Sequence, residues 1–154
     1  MSTLKENDIA PNFVATDQDG NQVNLADLRG SRVVLYFYPK DDTPGCTKEA
    51  CSFRDAHDVF TEKGIKVFGV STDSEKSHQK FIAKFDLPFT LLADTDKKIV
   101  GDYGVYGEKS LYGKKYMGVN RMTFLIDEEG RIVKIFKKVN VSEHAQEVLA
   151  AFGE

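Results

Sequence analysis

The chain has 154 residues, of which 41% are hydrophobic and 29% are charged, and it carries a net charge of -3 at pH 7. This length and composition predict a single globular domain over residues 1–154, large enough to bury a core without a metal ion or a disulfide staple. The slightly acidic balance argues against a nucleic-acid-binding protein. No apolar run is long enough to cross a bilayer and no hydrophobic leader opens the chain, so we expect a soluble, cytoplasmic protein.

The apolar pattern in the first half of the chain alternates between strand and helix. It predicts a hairpin of strands at 12–17 and 21–25, a buried strand at 32–39, a helix at 44–63 and a second buried strand at 65–71. Strand, helix and strand in that order indicate a βαβ unit. Gly64 follows the helix, at the point where a helix C-terminus favours a residue that tolerates positive φ.

The second half of the chain continues this alternation. It predicts helices at 74–85, 96–103 and 142–152, a short strand at 89–93, and a hairpin of strands at 122–127 and 131–136. For the remaining segment, 103–118, which is rich in glycine, lysine and tyrosine, we expect a flexible solvated connection, with a docking surface as the alternative. The whole pattern predicts an α/β fold with a central mixed sheet flanked by helices and an N-terminal hairpin.

The chain has two cysteines, Cys46 and Cys51, and both lie in the predicted helix at 44–63. Two closely spaced cysteines are too few for the disulfide framework of a small secreted protein, so a reducing compartment and a chemical role are favoured. A pair of inert buried thiols is the alternative interpretation.

The residues around Cys46 place it at the start of that helix. Thr43 suits the N-cap and Pro44 the first helical position, so Cys46 occupies the third. This end of a helix favours negative charge, because the N–H groups of its first turn have no partner within the helix. We therefore expect Cys46 to form a nucleophilic thiolate, with Asp41 and Asp42 turned toward solvent.

Arg121 is the candidate for a positive charge beside this sulfur. It directly precedes the predicted strand at 122–127, so a buried element fixes its place in the fold. A guanidinium stays charged at any relevant pH and offers five donors in a fixed fork, which can hold both a thiolate and a second acceptor. The alternative is a solvated surface arginine.

The spacing of the two cysteines bears on how they can react with each other. In an intact α-helix, residues five positions apart have Cα atoms about 8 to 9 Å apart and lie about 140° apart around the axis. A disulfide needs Cα atoms within about 7 Å, so the pair closes only if the first helical turns unwind. The spacing therefore favours a switchable disulfide, and the backbone freedom of Gly45 would ease the unwinding.

Two other classes of site fit this spacing less well. A thioredoxin-like thiol-disulfide oxidoreductase, the main alternative, uses Cys-x-x-Cys, which keeps its two sulfurs close in both redox states. A structural zinc site is disfavoured because Cys46, Cys51 and His57 lack zinc-ligand spacing. The other histidines, His78 and His144, lie on separate predicted helices, and we expect all three histidines on the surface.

Taken together, these motifs resemble the peroxiredoxins, specifically the bacterioferritin comigratory protein or peroxiredoxin Q group. The resemblance covers essentially the whole chain, through residues 10–13 (APNF), Pro39, 43–47 (TPGCT) and 121–127 (RMTFLID). It implies a thioredoxin-like fold, a monomer, and a peroxidase that needs no cofactor or metal. The implied partners are a hydroperoxide substrate and a thioredoxin or glutaredoxin-type reductant.

The resemblance also implies a role for each candidate site residue. Cys46 corresponds to the peroxidatic cysteine, which attacks hydroperoxides and becomes a sulfenic acid, and Cys51 to the resolving cysteine, which closes a disulfide with it. The residues that would activate the sulfur or contact the substrate are Thr43, Arg121, Pro39, Gly45 and Glu49. An external dithiol would then restore both thiols.

Overall fold

The computed structural model describes residues 4–153. The strands are β1 (Val14–Asp17), β2 (Gln22–Asn24), β3 (Arg32–Phe37), β4 (Ile65–Ser71), β5 (Thr90–Ala93), β6 (Tyr106–Leu111), β7 (Lys114–Val119), β8 (Met122–Ile126) and β9 (Ile132–Phe136). The helices are α1 (Pro44–Asp55), α2 (His57–Glu62), α3 (Glu75–Phe85), α4 (Lys98–Asp102) and α5 (His144–Ala151). Seven strands form one sheet in the order β2-β1-β5-β4-β3-β8-β9, and β6 and β7 form a separate two-stranded sheet.

The interior strand β3 lies between the two layers of the hydrophobic core. Val33, Leu35 and Phe37 pack on one face of the sheet, together with apolar residues of α4. Val34 and Tyr36 pack on the other face, where α1, α2, α3 and α5 cover the sheet. A strand that is buried on both faces has a continuous run of apolar residues. The position of β3 was therefore predictable from the sequence.

The sheet is mixed, as predicted. β3 runs parallel to β4, which runs parallel to β5, whereas β8 is antiparallel to β3. The chain leaves the end of β3, forms α1 and α2, and returns as β4, which completes the predicted βαβ unit. Both predicted hairpins, β1 with β2 and β8 with β9, are also present. These findings confirm the α/β fold with its N-terminal hairpin.

The helix predicted at 44–63 is interrupted, and this part of the prediction was wrong. Ala56 leaves helical geometry with φ -102° and ψ 6°, and its carbonyl accepts the N–H groups of Val59 and Phe60 as α2 begins. The apolar spacing continues across the break because the rings of Phe53 and Phe60 pack 5.8 Å apart. For that reason the hydrophobic pattern alone indicates one helix.

The expected flexible connection at 103–118 is instead largely a β-hairpin. Tyr106 pairs with Val119, and the pairing continues to Leu111 opposite Lys114. The turn uses Tyr112 and Gly113, both with positive φ. Most of this hairpin is exposed on both faces, so it lacks the alternation of apolar and polar residues that reveals a half-buried strand.

None of the helices in residues 4–153 is long and apolar enough to cross a membrane.

Candidate active site

Cys46 lies at the start of α1, directly after the loop that follows β3, as predicted. Thr43 has the extended backbone of an N-cap, Pro44 is the first helical residue, and Cys46 is the third. The first intrahelical hydrogen bond runs from the Thr47 N–H to the Thr43 carbonyl, 2.8 Å, so the N–H groups of the preceding positions point out of the helix end. Cys46 is buried, with 1% of its surface exposed.

The Thr43 hydroxyl does not cap the helix. It donates to the Lys40 carbonyl at 2.9 Å, which ties the loop to the helix start. Because its proton is engaged there, the hydroxyl oxygen keeps its lone pairs for another donor.

Arg121 reaches the sulfur from the neighbouring strand. Met122, the first residue of β8, pairs with Phe37 at the end of β3, so Arg121 lies at the edge of the sheet where α1 begins. Its Nη2 donates to Cys46 Sγ at 3.2 Å and its Nη1 donates to Glu49 Oε1 at 2.6 Å. With 22% of its side chain exposed, Arg121 is not a solvated surface arginine.

Gly45 makes room for this guanidinium. A Cβ atom at position 45 would lie 3.2 Å from Nη2 of Arg121, closer than ordinary van der Waals contact. The sequence suggested backbone freedom as the reason for a glycine here, and the structure adds close approach of a side chain as a second reason.

Glu49 is a fully buried acid one turn after Cys46. Burial raises the pKa of Glu49 to about 7, although the Arg121 guanidinium opposes the shift. Its Oε2 has no hydrogen-bond partner among the described residues, and Nε2 of His144 lies 3.9 Å away. Burial alone would lower the pKa of Arg121, but Glu49 and Cys46 together hold that pKa above its usual value.

His144, expected on the surface, is fully buried behind Glu49, so that prediction was wrong. Its Nδ1 lies 2.8 Å from Glu147 Oε1, and its Nε2 lies 2.7 Å from Thr123 Oγ1. Burial lowers the pKa of His144, although Glu147 opposes the shift. The neutral ring therefore donates from Nδ1 to the carboxylate and accepts the Thr123 hydroxyl proton at Nε2. In the sequence, the three-residue spacing of His144 and Glu147 on one helical face is the signal that could have indicated this contact.

Asp41 was also expected in solvent and is instead buried, with 7% of its surface exposed. It accepts a hydrogen bond from the Tyr38 hydroxyl and contacts His78, which is fully buried rather than on the surface. Asp42 does face solvent, where it pairs with Lys84 at 2.8 Å. The sequence does not indicate the contact between Asp41 and His78, because one lies in the loop after β3 and the other in α3, 37 positions further along the chain.

Cys51 lies in the same helix, α1, as Cys46 and is partly exposed. Neither cysteine forms a disulfide. Their placement in one regular helix leaves the two sulfurs apart, as the spacing indicated.

Pro39 lines a cavity of about 350 Å³ between the loop after β3 and the β6–β7 hairpin. Lys109, which also lines it, was not singled out by the sequence. Burial lowers the pKa of Lys109, and the positive charge of Arg121 lowers it further. Lys109 therefore links this cavity electrostatically to the arginine beside Cys46. The cavity is lined by Pro39, Lys40, Thr72, Lys97, Tyr106, Lys109, Tyr116, Met117, Gly118 and Val119.

Within residues 4–153, no three side chains of His, Cys, Asp or Glu converge as metal ligands would.

Comparison with known proteins identifies the class of this molecule. Residues 7–135 match the AhpC/TSA family. The chain is 48% identical over 149 residues to peroxiredoxin Bcp of Escherichia coli strain K12, covering 97% of this chain and 96% of that protein. It is 47% identical over 147 residues to peroxiredoxin Bcp of Bacillus subtilis strain 168, covering 96% and 94%. The chain therefore belongs to the AhpC/TSA family and is a peroxiredoxin, a thiol peroxidase.

Solved structures narrow this class to one group. A PrxQ variant from Xylella fastidiosa superposes with a TM-score of 0.92 at 35% identity, covering 100% of both chains. The bacterioferritin comigratory protein of Xanthomonas campestris, studied for alkyl peroxide reduction, gives 0.90 at 38% identity, covering 99% of this chain and 96% of that one. The fold is thus the thioredoxin-like fold of peroxiredoxins, and the chain groups with the bacterioferritin comigratory protein and peroxiredoxin Q proteins.

Proposed function

We propose that Cys46 is the sulfur with which this thiol peroxidase reduces hydrogen peroxide and alkyl hydroperoxides. The observation that carries the proposal is the hydrogen bond from Arg121 Nη2 to Cys46 Sγ, 3.2 Å, at the third position of α1. The guanidinium and the N–H groups of the first helical turn stabilise negative charge on the sulfur, and the same donors would hold the oxygens of a bound peroxide.

In the first step, the Cys46 thiolate attacks the terminal oxygen of the hydroperoxide in line with the O–O bond. An S–O bond forms, the O–O bond breaks and the sulfur is oxidised to a sulfenic acid. The leaving alkoxide or hydroxide takes a proton from solvent and departs as alcohol or water. Arg121 and the N–H groups of Gly45 and Cys46 would hold the peroxide oxygens, while the Thr43 hydroxyl oxygen would accept the peroxide O–H.

Two further residues support this arrangement without reacting. Glu49 accepts the second hydrogen bond of Arg121 at 2.6 Å and so fixes the plane of the guanidinium. Pro39 forms part of the wall of the adjoining cavity, where its ring would limit access of water to the sulfur.

In the second step, the Cys51 thiol attacks the Cys46 sulfenic acid. An S–S bond forms, the S–O bond breaks and water leaves. Because both residues belong to α1, the start of this helix must unwind before the two sulfurs meet. An external dithiol, a thioredoxin or glutaredoxin-type protein, would then reduce the disulfide, and the monomer would be the working unit.

A thioredoxin-like thiol-disulfide oxidoreductase remains the alternative function. Against it, the two cysteines lie five positions apart rather than three, and Cys46 is buried beside a guanidinium rather than presented to a protein disulfide.

Stoichiometric oxidation separates these possibilities. With one equivalent of hydrogen peroxide, the reduced protein should lose both thiols rapidly and gain one disulfide. Cys51→Ser should lose one thiol and yield a sulfenic acid that dimedone traps, whereas Cys46→Ser should keep its thiol. Reduction of insulin disulfides without consumption of peroxide would support the oxidoreductase, and a peroxide-reactive Cys46→Ser would contradict the assignment of the nucleophile.

A further inference from the structure

The loop between β3 and α1 is anchored by a buried carboxylate that the proposed chemistry does not use. Asp41 Oδ1 accepts the Tyr38 hydroxyl at 2.6 Å, and Oδ2 accepts the Ser77 hydroxyl at 2.8 Å. Nδ1 of His78 lies 2.7 Å from the same Oδ2. Since Ser77 and His78 belong to α3, the carboxylate joins this loop to a separate helix.

The surroundings of His78 define where its protons lie. The ring is fully buried, and its Nε2 lies 3.0 Å from the Leu92 carbonyl. A carbonyl can only accept, so Nε2 carries a proton and donates it to Leu92. One more proton then lies between Nδ1 of His78 and Oδ2 of Asp41, whichever atom holds it. The pair as a whole is electrically neutral, which is the condition under which such a pair can be buried.

The backbone of the loop is held at the same place. The Asp41 N–H donates to Asp73 Oδ2 at 2.8 Å, and the Ser71 hydroxyl donates to that oxygen at 2.8 Å. Asp41 is therefore fixed through both its side chain and its main chain. Thr43, the N-cap of α1, is only two residues further on.

We propose that Asp41 and His78 form a positioning pair that holds the loop before α1 in place and thereby keeps Cys46 within reach of Arg121. Neither residue touches the sulfur. The pair acts through the short backbone segment that connects Asp41 to the first turn of α1. This inference depends on the proposed role of Cys46 as the peroxide-reactive sulfur.

Two substitutions of Asp41 test the proposal. Asp41→Ala removes the acceptor of Tyr38, Ser77 and His78 together. Asp41→Asn keeps a carbonyl oxygen for Tyr38 and an amide N–H that can donate to Nδ1 of His78, while the pair stays neutral. Lys84→Ala is the matched control, because it removes an exposed ion pair between the same helix and Asp42 of the same loop.

The readouts are the second-order rate constant for oxidation of Cys46 by hydrogen peroxide, measured well below the unfolding transition, and amide hydrogen exchange over residues 39–47. We expect Asp41→Ala to slow oxidation at least tenfold and to speed exchange in this segment. Asp41→Asn and Lys84→Ala should stay within about threefold of the unaltered protein.

Either of two results would overturn the inference. One is a folded Asp41→Ala protein that reacts at the unaltered rate, and the other is a rate loss in Asp41→Asn as large as that in Asp41→Ala. If Asp41→Ala does not fold, the comparison of Asp41→Asn with Lys84→Ala still decides, because slow oxidation in Asp41→Asn alone would contradict the proposal. Failure of the unaltered protein to lose its Cys46 thiol to peroxide would instead refute the proposed function.

Discussion

At the scale of single residues, Arg121 has two acceptors, the sulfur of Cys46 and the carboxyl group of Glu49. Arg121→Ala should lower the rate constant with hydrogen peroxide by about 100-fold to 1000-fold, the usual effect of removing a charge-stabilising donor from an active site. Arg121→Lys should lose less, because it keeps the charge but not the fork. Stopped-flow oxidation at one pH measures this. Arg54→Ala on α1 serves as the control, and equal rates for Arg121→Ala and Arg54→Ala would refute the role.

Glu49 predicts how stability depends on pH. Its pKa is about 7 in the folded protein against a usual value of 4.5, so the folded state binds its proton more tightly than the unfolded chain. The stability contributed by that proton is complete below about pH 4.5 and is lost as the pH rises through about 7, a change of about 3 kcal/mol.

Glu49→Gln removes this titration while keeping the shape of the side chain. Its stability relative to the unaltered protein should therefore increase between pH 5 and pH 8. Denaturant unfolding at each pH in this range measures the difference. A difference that stays constant across the range would show that Glu49 does not carry the raised pKa.

At the scale of elements, α1 contains both cysteines and also Glu49, so closing the proposed disulfide would disturb the whole site. Hydrogen exchange should rise over residues 44–52 when the protein is oxidised with one equivalent of peroxide, while β3 and β4 stay protected. Cys51→Ser, treated in the same way, should keep α1 protected because its sulfenic acid has no partner. Unchanged protection of α1 in the disulfide form would contradict the unwinding step.

The elements that the sequence predicted well are those with one strong local signal. The apolar run predicts β3, the order of strand and helix predicts β4, and the Thr43-Pro44 pair predicts the start of α1. The position of Arg121 beside Cys46 was predictable because Arg121 directly precedes a buried strand. His144 and Asp41 were misplaced because their burial depends on partners from other helices and strands, Thr123 and His78 among them. The exposed β6–β7 hairpin was missed because it has no buried face.

At the scale of the whole molecule, the sheet separates two apolar layers, and the layer beneath α1 contains a polar atom without a partner. The Tyr36 hydroxyl is buried and has no hydrogen-bond partner among the described residues. A Cβ atom at Gly69 would lie 2.8 Å from it, so the fold makes room for this hydroxyl without bonding it. Burial raises the pKa of Tyr36 well above its usual value, which keeps the hydroxyl neutral.

The neighbouring Tyr38 gives a matched comparison, because its hydroxyl donates to Asp41 at 2.6 Å and its ring stacks 5.4 Å from that of Tyr36. An unpaired buried hydroxyl costs about 1–3 kcal/mol, whereas a hydrogen bond contributes about 0.5–1.5 kcal/mol, or about 1.5–3 kcal/mol where its acceptor is charged. Because 1 kcal/mol shifts the melting temperature of a domain of this size by about 2–4 °C, Tyr36→Phe should raise it by about 2–12 °C, and Tyr38→Phe should lower it by a similar amount. Calorimetry of the two variants measures both changes. A loss of stability in Tyr36→Phe would mean that its hydroxyl is paired in solution, since the two substitutions remove the same atom from two rings that stack on each other.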